Sequence, residues 1–556
     1  MNLTGWSKSL EGSADGEGIV SHAGLAILRQ LAGKTGLTGG LSHALASPRL
    51  LIHDRGRVTA DLACAIADGS EVISDFRVLT DQKELFGLVA SVPTTWRTLD
   101  EIAAGGPRSL ARIIRAVNSA RRQAWATIEA RRGALPGVRI ADKVLQGVTC
   151  IRLDATVTPA HSDKELAEPN FKGFGHHPLL GYCGNTDEPL AGMMRRGSAG
   201  SNTTADHLQV PGDAIAALPP KFRRRLMVTA DGAGASHGLI TRLDQLASRP
   251  GHQLTYSVGW ELGARERAAI RLIPAEAWQI AIDQRGEVRE RRTAAACAGR
   301  SCGHARCWVE EAHVTELTVL LREGPGGGEL DGWPESMRVF ARRERPHPGA
   351  QLSLFETRDG WRYSLWVSNV PAGLRGWRAQ LSYIDAAHRV HARVEDCIRT
   401  GKDCGIGRFP SHDFAMNSAW LGVSLIAAAL PSWLRLIALD GDLARAEPKT
   451  LRYRVLHAAG KLLRGGPPPT AENPCHLALG RGHSHRLGPD HRPATRTLTS
   501  AKPPLRHGRS NPGACGTPGQ PARQPGHRHT PTVKSRTVQR FSHRLSAAIR
   551  ARESSG

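Results

Sequence analysis

Cysteine is sparse in this chain: 10 cysteines are scattered over 556 residues, without the density of a disulfide scaffold. We therefore expect free thiols and a reducing compartment. One cysteine cluster, "CAGRSCGHARC" at 297–307, lacks the spacing of a zinc knuckle and has no second pair nearby. The amino terminus has no basic patch followed by an apolar segment, so no secretory signal is predicted.

Uninterrupted apolar runs are also missing. The longest apolar stretch, 420–439, is broken by Pro431 and Arg435. At this length a buried pair of helices is the expected structure, and a membrane span is not. These absences predict a cytoplasmic protein with no membrane contact.

Acidic residues are outnumbered, with 51 Asp and Glu against 74 Lys and Arg and a net charge of +23. Residues 465–556 hold 15 basic and 3 acidic residues, so this segment carries +12 and the first 464 residues carry +11. A surplus of Lys and Arg is typical of proteins that bind a polyanion, usually nucleic acid. The segment 465–556 is also rich in Pro and Gly, with Phe541 as its single aromatic residue, and is predicted to be a disordered tail.

Hydrophobic patterning divides the rest of the chain into four regions and predicts an α/β fold. Residues 1–145 are mainly helical and include a long Arg-rich helix suited to DNA binding. Residues 146–250 alternate strands and helices. Residues 251–375 show repeated strand signals, including "ELTVLL", without a strong helical pattern. Residues 376–464 return to helical texture.

Two aspartates are predicted at strand ends. Asp154 ends the strand pattern "GVTCIRLDATVT", and Asp231 lies between the strand pattern "RRLMVTA" and a following helix. Open α/β sheets place ligand sites at the carboxyl ends of their strands. Either aspartate alone could simply cap the next helix.

A third acid, Glu395, lies among basic residues. Read as one helix, residues 388–402 place His388, His391, Glu395, Arg399 and Lys402 on one stripe. A solvated helix with paired charges has the same pattern. The two strand-end aspartates favour a second interpretation, in which the glutamate binds a metal ion and the basic residues meet phosphates.

Three carboxylates from different elements fit phosphodiester chemistry. Two divalent ions about 4 Å apart can activate an oxygen nucleophile and stabilise the departing 3′ oxygen. Mg²⁺ prefers hard oxygen ligands. In this hypothesis Asp154 bridges two Mg²⁺ ions, Asp231 and Glu395 hold one each, and Mn²⁺ can substitute.

Several longer stretches, in the same order along residues 20–460, resemble a known family. They include "IRLDATVTPAHSDKELAEPNFKGFGHHPLLGYC", "RRGSAGSNTTADH", "VTADGAGASH", "ERPHPGAQL" and "EDCIRTGKDCGIGRFPSHDFAMNSAW". The chain resembles bacterial insertion-sequence DDE transposases of the IS-thirteen-eighty family, which are related to the piggyBac elements. The segment after residue 464 departs from that family.

The resemblance implies a ribonuclease-H-like catalytic domain interrupted by a β-rich insertion. It also implies Mg²⁺-dependent cut-and-paste transposition by a dimer that binds terminal inverted repeats and target DNA, with the protein at the nucleoid. By position, the three acids of the family fall on Asp154, Asp231 and Glu395, and a family lysine falls on Lys402. A tyrosine and an arginine of related enzymes are replaced here by His388 and His391.

The resemblance also suggests DNA contacts outside the acids. Arg342, Arg343 and Arg345 on the expected insertion could hold transposon-end phosphates, and Arg195 and Arg196 could hold the DNA backbone near the first acid. Solvated surface charge is the alternative. Trp260, Trp278 and Trp308 are either stacking platforms for a flipped base or core residues. His237 matches a family position, with a structural role favoured.

Three functions therefore remain open. The first is a transposase in which activated water nicks the element end and the freed 3′ hydroxyl attacks target phosphodiesters in line. The second is a stand-alone metal-dependent nuclease without a joining step. The third is a catalytically inactive DNA-binding derivative that represses the element.

Overall fold

The computed structural model describes residues 19–170, 173–200, 203–288, 311–324, 330–346, 350–463 and 532–534. The described residues from Ile19 to Leu462 belong to one compact unit. The predicted basic tail lies outside the described residues, apart from the short strand at 532–534. The cysteine cluster at 297–307 and Trp308 also lie outside them.

A mixed sheet of nine strands forms the centre of this unit. Its order is β12-β13-β14-β15-β11-β10-β4-β8-β9, and β10 runs parallel to both β4 and β11, whereas the other neighbours are antiparallel. The strands of the chain are β1 (Ile19–Val20), β2 (Val138–Ile140), β3 (Lys143–Leu145), β4 (Thr149–Ala155), β5 (Thr158–Pro159), β6 (Glu168–Asn170), β7 (Gly173–His176), β8 (Leu179–Cys183), β9 (Pro189–Met193), β10 (Arg225–Ala230), β11 (Gln253–Trp260), β12 (Gln279–Ile280), β13 (Ala312–Glu316), β14 (Arg338–Glu344), β15 (Arg362–Ser368), β16 (Gly460–Leu463) and β17 (Thr532–Lys534).

Helices cover the sheet and build the amino-terminal region. The predictions of an α/β fold and of a helical amino-terminal region are confirmed. The helices are α1 (Leu25–Lys34), α2 (Leu37–Ala44), α3 (Arg55–Asp68), α4 (Arg77–Thr80), α5 (Lys83–Phe86), α6 (Val92–Ala104), α7 (Gly106–Arg132), α8 (Thr204–Ala217), α9 (His237–Ala247), α10 (Ala264–Leu272), α11 (Thr318–Glu323), α12 (Leu354–Asp359), α13 (Leu381–Arg389), α14 (Val394–Gly401), α15 (Phe414–Ala438) and α16 (Pro448–Leu451).

The apolar run at 420–439 forms part of one helix, α15, and the predicted helix pair is wrong. Pro431 lies inside α15 and is buried. A proline removes one backbone hydrogen bond from a helix, but α15 packs against α3, α6 and α7, and this burial offsets the loss. The helix is long and apolar enough to cross a membrane, yet 78% of its most apolar window is buried inside the protein.

The strands predicted within 251–375 continue the central sheet. β15 pairs with β11, β14 with β15, and β13 with β14. The predicted strand "ELTVLL" is wrong, because β13 ends at Glu316 and α11 follows at once. Leu317 and Leu321 are both buried and lie one helical turn apart, a spacing that favours a helix over a strand.

A buried carboxylate joins the sheet to two helices. Glu188, just before β9, is fully buried. It accepts hydrogen bonds from Arg121 Nε at 3.0 Å, Trp433 Nε1 at 2.7 Å, Thr186 Oγ1 at 2.9 Å and Trp125 Nε1. These donors come from α7, α15 and the turn before β9, so one side chain fixes three elements together.

Candidate active site

Asp154 and Asp231 lie side by side at one end of the sheet. β4 and β10 are parallel, and their last register pair is Leu153 with Ala230. Asp154 is the next residue of β4, and Asp231 directly follows the last residue of β10. Because neighbouring strands lie about 4.8 Å apart, the backbones that carry the two aspartates are adjacent. The predicted strand ends are confirmed, and the two parallel strands bring both acids to the same end of the sheet.

Asp231 starts the turn that follows β10. Its carboxylate accepts a hydrogen bond from the backbone N–H of Ala233 at 3.1 Å, and its side chain still reaches solvent. The pKa of Asp231 is raised, first because the surrounding protein removes part of its water. The Ala233 N–H and the nearby imidazoles of His207 and His177 oppose this rise. A carboxylate with incomplete hydration is well placed to accept a cation.

The two histidines beside Asp231 were not singled out from the sequence. His207 is buried on α8, with Nδ1 3.1 Å from the carbonyl oxygen of Thr203, and burial lowers its pKa. His177 is also buried, with Nδ1 3.3 Å from the Ala199 carbonyl oxygen. Both lie within stretches that carry the family resemblance, which is the only sequence signal that could have found them.

The segment that carries Glu395 is broken rather than a single helix. α13 ends at Arg389, a tight turn covers Val390–Arg393, and α14 begins at Val394. A wider helical turn with non-helical backbone at Gly405 (φ +96°) then covers Lys402–Ile406. The predicted stripe is divided, because His388 and His391 contact the sheet whereas Glu395, Arg399 and Lys402 are exposed.

This segment crosses three neighbouring strands. His388 Nδ1 lies 2.9 Å from Ser257 Oγ on β11, and His391 Nδ1 lies 3.1 Å from Thr229 Oγ1 on β10. Cys397 Sγ lies 4.0 Å from Nη1 of Arg152 on β4.

Those contacts place Glu395 over the strands that end in the two aspartates. Thr229 and Arg152 are register partners and precede Asp231 and Asp154 by two residues. Side chains two residues apart on a strand share a face, so the segment lies on the aspartate face of the sheet. Glu395 is exposed at the start of α14, between the His391 and Cys397 contacts.

The three acids do not form a tight single-ion cluster. Among the residues that the structure describes, the group whose possible ligand atoms all lie within 4.8 Å of one another is His22, Asp68 and His457, on other elements. The oxygens of Asp154, Asp231 and Glu395 are spread more widely than that. The structure thus brings two acids to adjacent strand ends and places the third on the segment above them.

The two histidines of the predicted basic stripe are packed and neutral. Burial lowers the pKa of His388 to about 3 and that of His391 to about 4. The ring of His388 also stacks on Trp366 at a centroid distance of 4.9 Å. These residues attach the segment to the sheet instead of presenting positive charge to a phosphate.

Two of the predicted DNA-contacting arginines are buried in ion pairs. Arg342 Nη1 donates to Asp385 Oδ2 at 2.8 Å, and Arg195 Nη1 lies 3.3 Å from Asp206 Oδ2. Arg195 Nε also donates to the carbonyl oxygen of His177 at 2.9 Å. Their surroundings assign both to holding local structure, because a phosphate could reach either only by breaking a buried pair.

The remaining predicted basic residues are more accessible. Arg343 and Arg345 stack on the ring of Trp361 at 4.6 Å and 3.8 Å from its centroid. Arg399 pairs with Asp396 at 2.9 Å and with Glu447 at 2.7 Å, yet it is 57% exposed. Two further exposed residues complete this group: Arg196, which lies 3.6 Å from Glu168, and Lys402.

The tryptophans proposed as stacking platforms are packed. Trp278 is 7% exposed and lies under Arg343 at 4.4 Å. Trp260 donates to Glu266 at 3.0 Å and contacts Trp333 edge to face. His237, at the start of α9, contacts the same Trp333 and lies 2.6 Å from the Gly332 carbonyl oxygen, which agrees with a structural role.

Comparison with known proteins shows the family to which the chain belongs. Residues 4–467 match the family described as "Transposase DDE domain group 1". The chain belongs to this family. The chain is therefore an enzyme of DNA transposition and recombination. DDE transposases generally use divalent metal ions. The expected DDE transposase family is confirmed.

Other comparisons are less informative about this transposase. No curated protein matches the chain. Among solved structures, it is similar to the piggyBac transposase in a cryo-EM structure of a synaptic complex with hairpin DNA. The two share 11% sequence identity with a TM-score of 0.34, over 78% of this chain and 79% of that chain.

Proposed function

We propose that this DDE transposase moves an insertion sequence of the IS-thirteen-eighty type by a cut-and-paste reaction, with Asp154, Asp231 and Glu395 as its catalytic acids. The observation that carries the proposal is the adjacency of Asp154 and Asp231 at the ends of parallel strands in a chain of the DDE family. Glu395 completes the set from the segment that crosses those strands.

The topology supports a ribonuclease-H-like catalytic domain. β9, β8 and β4 form an antiparallel meander, and β10 and β11 add two parallel strands beside β4. The segment with the third acid follows in the chain and covers this part of the sheet. β12 to β15 extend the sheet from β11 and correspond to the β-rich insertion that we infer within the catalytic domain.

The acids present fit a pair of Mg²⁺ ions, for which Mn²⁺ can substitute. All three offer hard oxygen ligands, as Mg²⁺ requires, and the incomplete hydration of Asp231 favours a cation beside it. Asp154, Asp231 and Glu395 would together hold these ions. Bound ions would lower the barrier by activating an oxygen nucleophile and stabilising the leaving 3′ oxygen.

The packed His391 and Cys397 contacts hold Glu395 in place before DNA arrives. Such fixed positioning is worth several kcal/mol in reactions of this kind.

Exposed basic residues supply the DNA contacts in this proposal. Arg196, Arg345, Arg399 and Lys402 are exposed, Arg343 is half-buried against Trp278 and Trp361, and the first 464 residues carry a net charge of +11. We assign them backbone contacts, which position DNA without reading bases. Transposon ends and target DNA are the partners, and pairing of two ends calls for a homodimer at the nucleoid.

The experiment is an excision and strand-transfer assay with Mg²⁺. The inverted repeats are read from genomic DNA that flanks this gene, and a marker between them is incubated with the full chain and with a chain ending at Arg464. Excision followed by joining to target DNA is the expected result. Cleavage without joining would identify a stand-alone nuclease, and binding without cleavage by either chain would identify a repressor.

A further inference from the structure

A second group of metal-ligating side chains lies away from the proposed catalytic acids. His22 follows β1, Asp68 is the last residue of α3, and His457 precedes β16. β1 and β16 pair antiparallel, and the backbone N–H of Ala23 donates to the carbonyl oxygen of Ala458 at 3.0 Å. These backbone contacts hold the two histidines beside the end of α3.

The three side chains converge on one point. His22 Nδ1 lies 2.6 Å from Asp68 Oδ2, and His457 Nε2 lies 3.2 Å from Asp68 Oδ1. The two imidazole rings face each other with centroids 4.0 Å apart and a tilt of 30°. One ligand atom from each residue lies within 4.8 Å of the others, so small side-chain rotations would bring all three onto one ion.

The burial and hydrogen bonding of the Asp68 carboxylate independently favour a bound cation. Its side chain is 3% exposed, and its Oδ1 atom accepts no hydrogen bond. His457 Nε2, although close to Oδ1, is instead 3.1 Å from the Asp68 backbone carbonyl oxygen. A buried carboxylate oxygen that accepts no hydrogen bond is costly, and a bound cation would remove that cost.

The local backbone and electrostatics also favour a cation. Asp68 lies at the carboxyl end of α3, where the helix dipole attracts positive charge. His22 has a left-handed backbone with φ of +52°, which a non-glycine residue adopts only when its surroundings hold it there.

Arg452 is the charged neighbour that could compete with an ion. Its Nε donates to the carbonyl oxygen of Ala67 at 2.9 Å, and a second nitrogen is 3.4 Å from that of Ile66. The guanidinium therefore binds carbonyls before Asp68 and leaves the Asp68 carboxylate to the histidines.

We propose that His22, Asp68 and His457 form a structural binding site for a divalent transition-metal ion, Zn²⁺, separate from the Mg²⁺ chemistry of the catalytic acids. Two imidazole nitrogens and one carboxylate oxygen suit Zn²⁺, with water as a fourth ligand. Mg²⁺ prefers an all-oxygen set. Because the ligands come from three separated parts of the chain, the ion would link the first helices to the last strand of the folded unit.

The test is titration of the full chain with Co²⁺, a spectroscopic substitute for Zn²⁺, in reducing buffer with excess Mg²⁺ to occupy the catalytic acids. The expected result is one equivalent of bound Co²⁺ with visible bands of nitrogen and oxygen ligation and without a thiolate charge-transfer band. Because cysteine ligands would give a thiolate band, its absence distinguishes this site from the cysteine cluster at 297–307. Zn²⁺ should displace the Co²⁺ and raise the Tm.

Three variants and one control decide the assignment. His22→Gln, Asp68→Asn and His457→Gln should each weaken Zn²⁺ binding by at least about 100-fold, since loss of a residue that merely supports a ligand costs about 10- to 100-fold. His43→Gln, an exposed histidine on α2, should bind as the unaltered chain does. Circular dichroism without metal checks the fold of each variant.

The proposal is overturned if the unaltered chain shows no nitrogen and oxygen Co²⁺ spectrum. It is equally overturned if variants with unaltered circular dichroism keep their Zn²⁺ affinity. In either case the three residues would be a proton-sharing His–Asp–His contact. Loss of excision activity plays no part in these readouts, so the result is independent of the proposed transposition chemistry.

Discussion

The imidazole of His391 lies 3.1 Å from the hydroxyl of Thr229, which precedes Asp231 by two residues in the chain. Through this contact the segment with the third acid is attached to the strand with the second. Burial keeps the imidazole neutral by lowering its pKa to about 4. His391, one helical turn before Glu395, is therefore a neutral contact to the sheet and not a positive charge.

Replacement of a catalytic acid should abolish cleavage and leave DNA binding intact. We expect Asp154→Ala or Glu395→Ala to reduce the excision rate by at least about 10²- to 10³-fold, the usual effect of removing one transition-state stabiliser. Salt-sensitive binding to DNA should persist, because the basic surface is unchanged. Gel-shift and excision assays measure the two effects.

The matched control for Glu395→Ala is Asp396→Ala, which removes the neighbouring exposed carboxylate that pairs with Arg399. It should retain excision. Equal loss of activity in both variants, or loss of DNA binding together with cleavage, would contradict the assignment of Glu395.

Stability should fall as the pH drops below about 6.5. The folded pKa values of His388 and His391 are about 3 and 4, below the ordinary value of 6.5. Between these values the unfolded chain binds more protons, so the free energy of unfolding decreases by several kcal/mol as the pH falls from 6.5 towards 4. Urea unfolding at several pH values measures the slope.

The double variant His388→Asn and His391→Asn is the comparison for this slope. Asparagine can still bond to the Ser257 and Thr229 hydroxyls but does not titrate. The unfolding free energy of the double variant should depend less steeply on pH than that of the unaltered chain. An unchanged slope would show that the two imidazoles are not held neutral in the folded protein.

Glu188 should be more important for stability than any surface carboxylate. Glu188→Gln leaves buried Arg121 without its charged partner, and we expect a loss of about 3–5 kcal/mol in the free energy of unfolding. Glu129→Gln, which removes the partner of the exposed Lys221, should cost about 1 kcal/mol or less. Urea unfolding compares them, and equal effects would refute the role of Glu188.

Arg342 on β14 and Arg345 just after its end should have different roles. Arg345→Gln should weaken DNA binding and reduce the slope of log affinity against log salt by about 1, the contribution of one phosphate contact. Arg342→Gln should instead lower stability, because it leaves the buried Asp385 without one of its partners. Salt titrations of DNA binding and urea unfolding of both variants give the result, and a reversal of the two phenotypes would contradict it.

The strand ends at Asp154 and Asp231 could be predicted from the sequence because their signals are local. Apolar strand patterns end at Asp154 and just before Asp231, and parallel strands in one sheet bring their ends together. The apolar positions Val390, Val394 and Ile398 are buried as a neighbouring stripe requires. These features depend on residues close in sequence, which is why periodicity finds them.

The parts that could not be predicted depend on distant partners. Nothing near Arg342 indicates that Asp385 from α13 will bury it while Arg345, just after the end of β14, stays exposed. Similarly, the tight turn at Val390–Arg393 allows His388 and His391 to reach hydroxyls on two different strands. Pairing of β15 with β11 is a long-range contact as well, so strand signals alone could not show that the sheet continues.

The segment above the sheet contacts β11, β10 and β4 in turn, at Ser257, Thr229 and Arg152. If a strand slipped by a single residue, the side chain that contacts the segment would point to the opposite face of the sheet. The segment would then lose that contact. Glu395 can therefore lie over the strands of Asp154 and Asp231 only when all three strands are in register, so under the proposed function a one-residue slip of any of them would leave the site without its glutamate.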